Sequence, residues 1–145
     1  MVTITDFTLR IGANFHANGY VVHLADTTVV LRPGPFSTLC ELARARLLNP
    51  GGIAKPADFG LLDRDRDALY QRLSRLRAEL NAEERGLGRE LIMTVRGTQQ
   101  YKLCVETCRI KILPDVAALC PPVSPRVVQD LLRFAVGTDP QTRSA

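Results

Sequence analysis

Apolar positions recur at steps of four, three and four between residues 64 and 84, at Leu69, Leu73, Leu76 and Leu80. At about 100° per residue this spacing stacks the four leucines on one side of a helix, which predicts a helix over Arg64–Glu84 with that side buried. Ala68, Gln71, Arg72 and Arg75 fall on a second face, away from the leucines. A rod held by its back and offering guanidinium and amide groups at its front is what reading a DNA major groove requires. The same pattern also describes a helix whose polar face is merely solvated.

β-branched runs, partly alternating in Thr3–Ile11, and turn signals mark the elements before and after it. Thr3–Ile11, Tyr20–Leu24 and Thr27–Leu31 are rich in β-branched residues, with a turn signal at Asn18-Gly19, and predict an N-terminal antiparallel sheet. His23, in mid-strand, reads as a packed or surface histidine. Pro33-Gly34-Pro35 then stops the third strand. A helix follows with Phe36, Leu39, Cys40, Ala43 and Leu47 as its apolar stripe, ended by Asn49-Pro50-Gly51-Gly52. Ile53–Lys55 reads as a short extended piece, and a brief helix is expected from Pro56. Past Gly86 and Gly88, Glu90–Gly97 and Thr98–Val105 read as strand, turn, strand. A hairpin directly after the long helix is the position of the wing in a winged-helix domain.

Three stretches carry a family resemblance. Val29–Leu39, with Leu31-Arg32-Pro33-Gly34-Pro35-Phe36 at its centre, resembles the strand-to-helix step of the OmpR/PhoB-type winged-helix domains, the DNA-binding effector modules of bacterial response regulators. Leu73-Ser74-Arg75-Leu76-Arg77-Ala78-Glu79-Leu80 resembles the family's recognition-helix pattern, Ile-x-Arg-Leu-Arg-x-Lys-Leu. Thr94-Val95-Arg96-Gly97 with Tyr101-Lys102-Leu103 resembles its wing. The fold this implies is α+β: a winged helix-turn-helix with an N-terminal antiparallel sheet, three helices, a C-terminal β-hairpin wing and a short C-terminal helical extension. Residues 1–105 would form that domain, 106–136 an extension with one short helix, and 137–145 a disordered tail.

The resemblance implies DNA-binding roles for Ala68, Gln71, Arg72, Arg75, Arg77, Arg96 and Lys102. Arg75 is the candidate for a bidentate contact to guanine, and Arg96 for the adjacent minor groove. Arg72, Arg77, Lys102 and Arg96 would meet phosphates, supplying affinity and salt dependence. The assignment of Arg77 rests mainly on the resemblance, since the helical wheel puts it nearer the flank. The implied function is a sequence-specific regulator of transcription that binds double-stranded DNA. No receiver-like stretch precedes the module, so its control is expected to come from abundance, a partner or the extension.

The sequence also departs from the family. Asp67 stands where a basic residue is common, and the wing is one residue longer and lacks its second glycine. These departures support an alternative, a winged-helix protein–protein interaction module that has lost DNA binding.

Charge and composition narrow the choice further. The net charge of +4 permits an anionic partner. From Leu62 to Glu90, however, seven basic residues face seven acidic ones, so the long helix is neutral overall. The local excess of positive charge lies later, at Arg96, Lys102, Arg109 and Lys111 against Glu106. No nucleophile–base set or phosphate-cradling glycine loop is present, and an enzyme is not expected. Cys104-x3-Cys108 with Cys120 lacks a fourth ligand nearby, so neither a metal nor a cofactor is expected. No apolar run approaches the ~18 residues of a membrane span, nor is there a signal pattern, so a soluble, cytoplasmic protein without a membrane partner is expected. In the extension, Arg109–Leu113 could add a strand. Ser124-Pro125 opens a helix whose apolar face is Val127, Val128, Leu131, Leu132 and Ala135. Two outcomes are open for that face: packing back on the domain, or docking a protein partner, most simply a second copy in a homodimer.

Overall fold

The computed structural model describes residues 8–16, 19–24, 27–62, 64–95, 100–120 and 123–135. Strands β1 (Leu9–His16), β2 (Gly19–Leu24) and β3 (Thr27–Leu31) form an antiparallel run. Residues 3–7, where the first strand was expected to begin, lie outside the described part. β1 instead continues through Gly12 to His16. The register pairs Leu9 with Leu24, Ile11 with Val22, Val22 with Val29 and Tyr20 with Leu31, so every large apolar side chain of these pairs shares one face. All of them are buried, whereas Arg10 and Thr28 on the other face are exposed. β2 departs from a clean alternation of packed and solvated faces: Val21, on the outer face, is also buried. His23 stands on that outer face, its Nδ1 3.5 Å from the Thr28 hydroxyl.

Helix α1 (Pro33–Leu48) crosses the inner face of the sheet, where the Phe36 ring stacks on Tyr20 at 4.6 Å. It is buried well beyond its predicted stripe: Leu42 and Ala45 are covered as completely as Phe36, Leu39, Cys40 and Ala43. It contacts elements on several sides, which explains the excess. After it come the two-residue strand β4 (Ile53–Ala54) and a single 3₁₀ turn at Pro56–Phe59. The brief helix expected at Pro56 goes no further than that turn, because the chain enters the left-handed region at Gly60 (φ 72°).

Helix α2 (Arg66–Glu83) follows, within a residue or two of the predicted span. Gly86 (φ 83°) reverses the chain into α3 (Leu87–Leu91), a five-residue helix that the periodicity did not predict. Gly88 is where α3 meets α2. A Cβ there would lie 2.8 Å from the Arg77 carbonyl oxygen and 2.9 Å from its Cα, so only glycine allows this approach. The Gly88 amide donates to Asn81 Oδ1 at 2.8 Å and closes the corner.

β5 (Ile92–Val95) and β6 (Gln100–Leu103) form the expected hairpin, and β4 pairs with the other edge of β6. The chain then returns. β7 (Ile110–Ile112) lies parallel to β1, pairing Leu9 with Ile110 and Ile11 with Ile112, and completes a four-stranded mixed sheet in the order β3-β2-β1-β7. α4 (Pro125–Leu132) starts at Ser124, whose hydroxyl accepts from the Val127 amide at 3.4 Å. Its Val127, Val128 and Leu131 are buried in the same core as the sheets. Packing back is therefore the arrangement this face adopts. A homodimer would need another surface. The molecule is thus an α+β domain with one mixed and one antiparallel sheet.

Candidate nucleic-acid interface

The four leucines of α2 are fully buried, which fixes the rotation of the helix about its axis. The residues assigned to its front then separate into three groups. Ala68, Gln71 and Arg75 are exposed and form an outward strip, flanked by the exposed Asp67 and Tyr70. Arg72 turns toward α1: its Nη1 lies 3.8 Å from Glu41 Oε1 and 3.4 Å from the Phe59 carbonyl oxygen. Arg77 turns toward the hairpin. Its Nη2 donates to the Ile92 carbonyl at 3.0 Å and to the Thr94 hydroxyl at 3.1 Å, and its guanidinium carbon lies 5.9 Å from the centre of the Tyr101 ring.

Arg77 therefore serves as a brace between helix and hairpin. Among the described residues its buried Nε has no partner, a desolvation cost set against the two Nη2 hydrogen bonds and the Tyr101 contact. Burial pushes the Tyr101 hydroxyl above its ordinary range, with Arg77 partly opposing the shift. If the brace is the role of Arg77, Arg77→Ala should lower the unfolding free energy by about 1–2 kcal/mol and leave the salt dependence of any DNA binding unchanged. A phosphate contact would show the reverse: an intact melting temperature, and a slope of log K against log salt reduced by about one.

Of the two remaining assigned residues, Lys102 is the one described. Lys102 is half-buried and pairs with Met93 and Ile53 across the small sheet. It neighbours Tyr101 in the strand, so alternation turns it to the face opposite the one that receives Arg77. Arg96 lies outside the described residues.

Two neighbours of the strip were not singled out from the sequence. Tyr70, 57% exposed, stands beside it. Glu41, on α1, faces Arg72 with its side chain only 12% exposed. Burial raises its carboxyl from 4.5 to about 7, and Arg72, Arg126 and Arg44 only partly offset that cost. The exposure pattern of α2 could have flagged Tyr70, one step from Gln71. No sequence signal marks Glu41, because its environment depends on where α2 and α4 dock.

Other chemistry is sparse. Among the described residues no group of three or more His, Cys, Asp or Glu side chains could hold a metal ion, and no helix is long and apolar enough to cross a membrane. Cys40 is buried and Cys108 and Cys120 are exposed; burial also raises the half-buried Cys104 thiol above its usual range. No family model, curated protein or solved structure matches the chain.

Proposed function

We propose that the chain is a sequence-specific double-stranded DNA-binding regulator with a winged-helix design of the OmpR/PhoB type, α2 lying in the major groove and the β5–β6 hairpin beside the neighbouring minor groove. The observation that carries this reading is the uncovered strip Ala68–Gln71–Arg75 on a helix whose back is fully buried. Neither α4 nor the returning β7 crosses it. B-DNA's major groove is about 12 Å wide and admits a helix of this kind. Ala68 lets the backbone approach closely, while Gln71 and Arg75 suit the edges of adenine and guanine respectively.

Arg75→Ala is expected to cost ~1–3 kcal/mol of discrimination, confined to one or two base pairs of the preferred site. In vitro selection from a random duplex library identifies that site, and competition with single-base variants measures the loss. Equal losses on cognate and random duplex would remove the base-reading role.

Specific features favour a second reading, a protein-interaction module. Two of the three α2 arginines assigned to DNA contact are engaged within the chain, and Tyr70 and Met93 are exposed apolar groups at 57% and 45%. Selection that enriches no sequence, together with binding no tighter than to random duplex at about 0.1 M salt, would establish that alternative over the first.

A further inference from the structure

Between the first two turns of α1 and the middle of α2 lies a cleft of about 340 Å³, lined by Pro33, Gly34, Ser37, Glu41, Arg72 and Arg75 among others. Its backbone offers few donors. Pro33 and Pro35 have no N–H, and the Phe36 amide already donates to the Arg32 carbonyl at 2.9 Å. The Thr38 hydroxyl is likewise committed, to the Gly34 carbonyl at 3.2 Å. The chemistry of the cleft therefore rests on side chains: the Arg72 guanidinium on its wall, the exposed Arg75 at its rim and the Ser37 hydroxyl. The one carboxylate in the lining, Glu41, holds Arg72 at 3.8 Å.

We propose that this cleft seats one tetrahedral oxyanion of the phosphate class against Arg72 and Ser37, with Arg75 contributing charge at the rim, and that the anion is admitted when Glu41 takes up a proton. An ionised Glu41 both competes for Arg72 and repels the incoming charge; a protonated one does neither. The groups facing Glu41 are Arg72 from α2 and Arg126 from α4, with Arg44 and the buried Cys40 on its own helix. The arginines keep their charge through neutral pH, and burial raises the Cys40 thiol far enough that it stays neutral. Glu41, at about 7, is thus the group in this set that changes charge near neutrality.

Two sources could supply the anion. One is a backbone phosphate of a duplex lying on α2, which rests on the DNA-binding reading. The other is a free phosphate-bearing molecule, which does not.

The test uses the full chain and two probes whose own charge does not vary between pH 6 and pH 8: sulfate and a short random-sequence duplex, both at fixed ionic strength. Saturable shifts of the Ser37, Thr38 and Arg72 amide resonances report sulfate binding. In the wild type the sulfate dissociation constant should rise about tenfold from pH 6 to pH 8, as the protonated fraction of a group titrating near 7 falls. Glu41→Gln should bind at pH 8 as tightly as the wild type does at pH 6, with no dependence on pH. Arg72→Gln, at a side chain 41% exposed, should fold and show no saturable shift.

If the duplex follows the same pH profile, and loses it in Glu41→Gln, the backbone is the source. If sulfate behaves as stated while duplex affinity ignores Glu41, the source is a free anion. Sulfate binding as stated with no binding of the random duplex leaves the seat standing with a free anion as its source, and the DNA-binding reading is then decided by the selection experiment alone. The seat itself is overturned by an absence of saturable sulfate shifts at pH 6, or by a wild-type pH profile that persists in Glu41→Gln, whatever the duplex does.

Discussion

Asp130→Ala is expected to lower the unfolding free energy by about 3 kcal/mol, a large part of what a domain of this size has available. Asp130 Oδ2 receives Arg44 Nε at 2.6 Å, and the two side chains are only 14% and 15% exposed. Removing the carboxylate strands a guanidinium in the contact between α1 and α4, where Glu41, one turn away on the same helix, is itself held by Arg72. Breaking such a pair costs far more than the pair contributes, because the surviving charge stays desolvated. Arg133, 3.8 Å away and 70% exposed, loses little by comparison. Denaturant unfolding of the single variants and of Arg44→Met/Asp130→Leu separates the terms. The double variant, which leaves no stranded charge, should recover most of the loss. A single variant that costs less than about 1 kcal/mol would show that the apolar contacts of Val127, Val128 and Leu131 hold α4 unaided.

Glu41→Gln is expected to stabilise the protein by ~2–3 kcal/mol at pH 8 and to change little at pH 4. The sign follows from the raised carboxyl, about 7 in the folded chain against an ordinary 4.5. The folded state holds this proton more tightly than the unfolded one. Below 4.5 both states are protonated and the stability associated with this group is fully present. It declines as pH rises from 4.5 and is gone above about 7, where folding keeps an ionised carboxylate desolvated and its neighbouring arginines only partly offset that cost. Glutamine keeps the shape of the protonated acid without the charge, so the variant should be flat over that window. Thermal unfolding at fixed ionic strength between pH 4 and pH 8 measures the difference. A variant less stable than the wild type at pH 8 would mean that pairing with Arg72 outweighs the desolvation of Glu41.

Both effects arise at contacts between helices distant in sequence, 86 residues apart for Arg44 and Asp130. Much else was legible earlier. The spacing of Leu69, Leu73, Leu76 and Leu80 was enough to orient α2, because four large apolar groups on one face leave a helix one way to bury them. The β-branched runs likewise marked β2 and β3 as strands, and Ser124-Pro125 marked the start of α4. Such signals work because the side-chain periods of helix and strand are local properties of the backbone.

Other features depended on what stands opposite. Leu42 and Ala45 lie off the apolar stripe of α1, yet they are buried because elements from several parts of the chain surround that helix. Gly88 reads in the sequence as a helix breaker; its role as the point of closest approach to Arg77 appears only once α3 folds against α2. Arg72, Arg75 and Arg77 share a residue type and one stretch of helix. One faces a carboxylate on α1, one faces solvent, and one braces the hairpin.

By itself, then, the amino-acid sequence determined the α2 leucine face, the strands β2 and β3, and the hairpin that follows the long helix. The tertiary structure alone decided the parallel β1–β7 closure, the burial of α4 against its own domain, and the separate fates of the three arginines. The reason is physical. Periodicity says which side chains share a face, whereas the charge, hydrogen bonding and solvation of each depend on the surface brought up against that face from elsewhere in the chain.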